Sequence, residues 1–75
     1  MRLKINEIDK IKKICRVCNE FVDDVYAVSG KHRVNAKSLL GLLSLDLSQE
    51  IELIIDTYKD SIISDFMTKI KAITK

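Results

Sequence analysis

Apolar residues recur with two different periods along this chain, and the change of period marks its predicted elements. The segment Arg2-Leu3-Lys4-Ile5 alternates, which predicts a short first strand with Leu3 and Ile5 on one face. Residues 7–20 instead place apolar side chains three and four positions apart, which predicts an amphipathic helix that follows Asn6 as its N-cap. The stripe of this helix contains Ile8, Ile11, Ile14, Cys15, Cys18, Phe21 and Val22.

The middle of the chain has the pattern of a β-hairpin. Residues 24–28 and 33–36 favour strands, and Ser29-Gly30-Lys31-His32 between them is typical of a turn. Gly30 can adopt a positive φ there at no steric cost. The residues predicted to point inward are small, which leaves room for a helix above them: Val25, Ala27, Val34 and Ala36.

A short apolar helix is predicted over residues 39–45, with Ser38 as its N-cap. Five leucines make it apolar nearly all round: Leu39, Leu40, Leu42, Leu43 and Leu45. Such a helix is either deeply buried or partly exposed as a docking surface. Both interpretations remain open from the pattern alone.

The last elements are a strand and a helix. Residues 51–55 predict a fourth strand with Ile51, Leu53 and Ile55 inward, and a final helix is predicted to begin at Asp60 or Ser61. Its predicted stripe is Ile63, Phe66, Met67 and Ile70, and the charged tail after Ile70 is expected to fray. The order β-α-β-β-α-β-α predicts one α+β domain over residues 1–75, with a four-stranded, mostly antiparallel sheet and three helices on one face.

Composition narrows the classes of function. A hydrophobic content of 47% with 32% charged residues argues against disorder. A net charge of +2, with two Tyr and two Phe, argues against nucleic-acid binding. No apolar run approaches the roughly 18 residues of a membrane helix, and the first residues lack the pattern of a signal peptide. We therefore expect a cytoplasmic protein with reduced cysteines.

The residues that could carry chemistry are few. Cys15 and Cys18 have CxxC spacing, but a structural zinc needs four ligands and no second Cys or His pair exists, so both are predicted to be core residues. His32 is predicted to be a solvated turn residue. Glu7 and Asp9 are two residues apart on a helix and do not face each other. We predict no enzyme, no cofactor and no metal.

The segment Val34-Asn35-Ala36-Lys37-Ser38-Leu39-Leu40-Gly41-Leu42-Leu43-Ser44-Leu45-Asp46-Leu47 closely resembles the regulatory-serine segment of HPr, the small phosphocarrier of the bacterial sugar phosphotransferase system. The element order also resembles HPr, which implies an open-faced β-sandwich. The resemblance implies that Ser38 is a site of phosphorylation by HPr kinase. It also implies that Lys37, Leu39, Leu40 and Leu43 belong to a partner-binding surface.

The chain departs from the family at the start of the first helix. The family carries a Gly-hydrophobic-His-x-Arg-Pro motif there, and its His carries the phosphate. This chain has no proline. An ungapped alignment places Glu7 at the position of the family's histidine, Asp9 at that of its arginine and Lys10 at that of its proline. The preceding loop is shorter. The family usually has Gly at the positions that match Asp46 and Glu50. This predicts backbone strain at Asp46 if the fold keeps a positive φ there.

Three hypotheses follow from these residues. The first is a non-catalytic, Crh-like regulatory module that binds a protein and is controlled at Ser38. Its partner would be a phosphotransferase-system protein, HPr kinase or a transcriptional regulator, and the protein itself would be a monomer or weak homodimer. The second is a true phosphocarrier that uses Glu7 or His32. The third is a degenerate structural domain that forms a dimer or part of an assembly.

Overall fold

The computed structural model describes residues 1–74. The elements follow the predicted order. They are β1 (Arg2–Leu3), α1 (Ile8–Cys18), β2 (Val25–Ser29), β3 (His32–Asn35), α2 (Leu39–Leu43), β4 (Ile51–Ile55) and α3 (Asp60–Ile73).

The four strands form one sheet in the order β1-β4-β2-β3, and all three strand pairings are antiparallel. The central ladder pairs Val25 with Ile55 and Ala27 with Leu53. The β2–β3 turn contains Gly30, which has a φ of 59° and is the only residue with positive φ among residues 1–74. The predicted α+β fold and hairpin are therefore confirmed.

The core lies between the three helices and one face of the sheet. Ala27 and Leu53 are buried on that face. Their neighbours Tyr26 and Ile54 point to the other face, where Tyr26 is half-buried and Ile54 is exposed. α1 packs against both α2 and α3. The rings of Phe21 and Phe66 meet edge to face with their centroids 5.4 Å apart. The fully buried side chains of the three helices include Ile11, Ile14, Cys18, Leu42 and Ile70.

Several predicted boundaries are wrong at α1. The helix begins one residue later than expected, so that Glu7 rather than Asn6 occupies the N-cap position, and Glu7 makes no side-chain cap hydrogen bond. Ile8 is 57% exposed because the first turn lies outside the core. Val22 is 96% exposed because the helix has ended at Cys18, and the helical period no longer governs which way side chains point.

Other corrections concern the remaining elements. β1 ends at Leu3 rather than Ile5, and α2 ends at Leu43, although Leu45 is still buried beyond it. α3 continues to Ile73 instead of fraying after Ile70, and Thr74 caps it by donating its hydroxyl hydrogen to the Ile70 carbonyl at 2.9 Å. Four residues predicted to point into the core are not fully buried: Val34, Ile55 and Ile63 are half-buried, and Met67 is exposed.

The expected strain at Asp46 is also wrong. Asp46 has no positive φ. Its carboxylate instead accepts hydrogen bonds from the Ser48 hydroxyl at 2.6 Å and the Ser48 backbone N–H at 3.0 Å. These two bonds, the side-chain one first, hold the pKa of Asp46 below its usual value. Asp46 thus forms a local side-chain-to-backbone turn that needs no positive φ.

Candidate functional site

Ser38 stands at the N-cap of α2, as its sequence context predicts. Its backbone is extended, with φ −99° and ψ 116°, and its side-chain oxygen accepts a hydrogen bond from the Gly41 backbone N–H at 3.1 Å. The residue is half-buried. Within residues 1–74 the hydroxyl accepts this hydrogen bond and donates none. The cap bond therefore fixes the position of the serine oxygen.

Lys37, the residue before Ser38, is hydrogen-bonded to α1 and its C-cap. The Lys37 carbonyl accepts hydrogen bonds from Asn19 Nδ2 at 3.0 Å and from Cys15 Sγ at 3.3 Å. The Lys37 ammonium donates to the carbonyl of Phe21 at 2.6 Å. The predicted partner-binding residue Lys37 is thus engaged within the protein, through its backbone and its side chain alike.

The leucines of α2 divide between core and surface. Leu42 is fully buried and Leu39 is half-buried against the core, whereas Leu40 is 82% exposed and Leu43 is 39% exposed. Leu40 and Leu43 are three residues apart, so they lie on the same side of the helix. Of the four predicted partner-binding residues, these two form an exposed apolar patch, which we call the α2 patch.

The start of α1 carries negative charge. Glu7 and Asp9 are both exposed, and Asp9 lies in the first turn. Neither carboxylate forms an ion pair within residues 1–74. Carboxylates favour the positive end of a helix dipole, so both residues suit the helix itself. They provide neither a nitrogen nucleophile nor a positive charge at the position that the alignment gives to the phosphorylated histidine.

His32 and the cysteines are the remaining candidate residues. His32 is the exposed first residue of β3, paired in register with Ser29 across the turn. Cys18 is buried, and its burial, reinforced by the neighbouring Cys15, raises the pKa of its thiol to about 12. Within residues 1–74, no three His, Cys, Asp or Glu side chains are grouped as metal ligands. None of the helices described is long and apolar enough to cross a membrane.

A surface groove beside the β2–β3 turn contains none of the predicted site residues apart from His32. It has a volume of about 730 Å³ and lies between the β2–β3 turn and the loop that leads from α2 to β4. Its lining mixes basic and acidic side chains, among them Arg2, Lys31, Glu50 and Glu52. The groove therefore adds no partner to Ser38 or to the α2 patch.

Asn19 is the residue of this region that the sequence pattern does not reveal. An asparagine after the last helical residue is typical of a helix C-terminus, and Asn19 does stand at the C-cap of α1. Its contact with Lys37, however, joins residues 18 positions apart. Only the tertiary structure brings the two together.

A sequence model of the family described as the PTS HPr component phosphorylation site matches residues 9–73. The match begins two residues after Glu7. No curated protein sequence matches the chain.

Two solved structures share the fold. The histidine-containing phosphocarrier protein of Mycoplasma superposes with a TM-score of 0.75 at 14% identity, over 97% of this chain and 88% of that one. The Bacillus subtilis catabolite-repression protein Crh, described as a domain-swapped dimer, superposes with a TM-score of 0.66 at 24% identity, over 100% of this chain and 91% of that one. At these identities, the two likenesses establish the fold.

Proposed function

This chain belongs to the HPr family of the phosphotransferase system, and within that family we propose that it is a regulatory protein-binding module rather than a phosphocarrier. It would bind a protein partner through the α2 patch, and phosphorylation of Ser38 would control that binding. The observation that carries the proposal is a capping serine whose hydroxyl donates no hydrogen bond within residues 1–74, two residues before a leucine that is 82% exposed.

The charges at the start of α1 argue against a carrier role. A phosphoryl group needs hydrogen-bond donors and positive charge around it. Glu7 and Asp9 instead bring two carboxylates to this helix end, and both are exposed. They would repel an anionic phosphoryl donor. The positive end of the helix dipole is too weak to compensate, since it equals roughly half an elementary charge.

The α2 patch supports a docking role. Leu40 contributes almost nothing to the core, because most of its side chain is in contact with solvent. An apolar partner surface would remove Leu40 and Leu43 from water, which is favourable by roughly 25 cal/mol for each Å² of apolar area buried. The chemistry of the patch therefore favours a partner with an apolar pocket.

Ser38 is suited to control this docking. A phosphate there would add a charge of about −1.5 to −2 at the first turn of α2, beside the α2 patch. The fold should accept the group, since it would face the positive end of the helix. Because a neutral hydroxyl and an anionic phosphate would alternate next to the same leucines, partners could distinguish the unphosphorylated from the phosphorylated protein.

Incubation with ATP and an HPr kinase from a low-GC Gram-positive bacterium tests the regulatory half of the proposal. We expect intact-mass measurement to show one added phosphate, and fragmentation to place it on Ser38. The Ser38→Ala variant is the control and should gain none. An unmodified protein, under conditions in which an authentic HPr is modified fully, would refute this half of the proposal.

A further inference from the structure

The peptide unit that joins Lys37 to Ser38 is held at both of its polar groups. Its carbonyl accepts hydrogen bonds from Asn19 Nδ2 at 3.0 Å and Cys15 Sγ at 3.3 Å, both on α1 or its cap. Its N–H donates to the Asn35 carbonyl at 3.0 Å, at the end of β3. The plane of this peptide is thus fixed between two elements, and that plane sets the direction in which the Ser38 side chain leaves the backbone.

Asn19 makes the stronger of the two bonds to this carbonyl. Its side-chain amide has two hydrogens. One goes to the Cys15 carbonyl at 2.8 Å within α1, and the other goes to the Lys37 carbonyl. A thiol is a weak donor, so the Cys15 bond cannot replace the amide bond in full. Asn19 is also exposed, so its removal would leave no cavity in the core.

The helix that begins at Ser38 depends on such tertiary contacts. α2 has five residues, and an isolated helix of that length is not stable in water. Its N-terminus must therefore be held by the rest of the protein. Besides the bonds already described, the Lys37 N–H donates to the Asn35 side chain at 2.9 Å.

We propose that Asn19 is a positioning residue for Ser38, which holds the preceding peptide so that the serine hydroxyl is presented to a modifying kinase. This inference rests on the proposed phosphorylation of Ser38 and adds the residue on which presentation depends. Loss of the Asn19 amide lowers the population of the presented conformation. An enzyme that binds only this conformation then shows a weaker apparent affinity by the same factor.

Steady-state kinetics of the kinase reaction test this inference. For Asn19→Ala we expect KM to rise with kcat unchanged, by up to about three- to tenfold, since one net hydrogen bond changes the equilibrium constant between the presented and the displaced conformation by a factor of this size. Asn19→Asp keeps the side-chain size, replaces the donor by an acceptor and should behave in the same way. Ile70→Val, a core change in α3, lowers global stability while leaving the residues of α2 and its cap unchanged, and it should leave KM unchanged.

Hydrogen exchange of the Gly41 amide supplies a readout that needs no kinase. This amide is bonded to Ser38 Oγ, so it reports how often the cap opens. We expect its exchange to quicken about three- to tenfold in Asn19→Ala and to be unchanged in Ile70→Val. Equal acceleration in both variants would mean that Asn19 acts on global stability alone, which would overturn the inference.

The outcomes separate this inference from the proposed function. If the wild-type protein is phosphorylated and the Asn19 variants have the same KM and the same Gly41 exchange, the positioning role is wrong and the proposed function stands. If the wild-type protein is not phosphorylated, the proposed function fails. Presentation to a kinase then fails with it, whatever the exchange of Gly41 shows.

Discussion

The side-chain oxygen of Ser38 and the backbone N–H of Gly41 are joined by a 3.1 Å hydrogen bond that closes the first turn of α2. Gly41 also lies close to the end of β3. A Cβ added at Gly41 would lie 3.2 Å from the Asn35 carbonyl oxygen and 3.4 Å from Ser38 Oγ. The glycine thus allows α2 to lie close to the end of β3 and to the capping serine.

Replacement of the cap should cost measurable stability. We expect Ser38→Ala to lower the free energy of unfolding by about 1 kcal/mol, because the Gly41 N–H loses its partner. Ser38→Asp should lose much less, since an aspartate caps equally well and its charge suits the helix end. Urea denaturation followed by circular dichroism measures both. Equal losses in the two variants would contradict the capping role.

Gly41→Ala distinguishes helix propensity from close packing. Alanine is favoured over glycine within a helix by about 1 kcal/mol. The added Cβ, however, meets a backbone oxygen that cannot turn away as a flexible side chain can. We expect the contact to cancel the gain, which leaves stability unchanged or lowers it by about 1 kcal/mol. A stabilised variant would show that α2 can move away from β3 without loss.

Leu40 and Leu42 form a matched pair for testing the α2 patch. Leu42→Ala should lower the free energy of unfolding by about 2–5 kcal/mol, since its side chain is fully buried. Leu40→Ala should change it by no more than about 0.5 kcal/mol, because Leu40 is 82% exposed. Under the proposed function, Leu40→Ala should nevertheless weaken partner binding. A loss of several kcal/mol in the free energy of unfolding of Leu40→Ala would contradict an exposed Leu40.

Alkaline pH should destabilise the protein through Cys18. Burial first, and then Cys15, raises the pKa of the Cys18 thiol from 9.0 to about 12, so the folded state holds this proton more tightly than the unfolded chain does. The resulting stabilisation is complete below pH 9.0 and is lost as pH rises from 9.0 towards 12. Over this range, the free energy of unfolding should fall more steeply in the wild type than in Cys18→Ala. Parallel curves would contradict this account.

Much of the fold could be predicted because its signals are local. The alternation in β2, the positive φ of Gly30 and the cap at Ser38 each depend on residues within a few positions, and the structure contains all three. Periodicity was less reliable at helix ends. It placed Ile8 and Val22 in the stripe, although neither residue lies where α1 covers the core.

The candidate site was only partly predictable. The exposure of Leu40 and the burial of Leu42 could not be separated by pattern, because a short helix of leucines has no polar face to orient it. The bonds from Asn19 and Cys15 to Lys37 were not predictable at all, since they depend on how α1 and α2 pack. The charge at Glu7, by contrast, could be read directly from the sequence.

The most direct test of the central claim is the intact mass of the protein after two parallel incubations, one with Enzyme I and phosphoenolpyruvate and one with HPr kinase and ATP. A regulatory module without a carrier residue should gain one phosphate with the kinase and none with Enzyme I, while an authentic HPr in the same mixtures gains one in each. A phosphate transferred from Enzyme I to Glu7 or His32 would contradict the account and restore the carrier role.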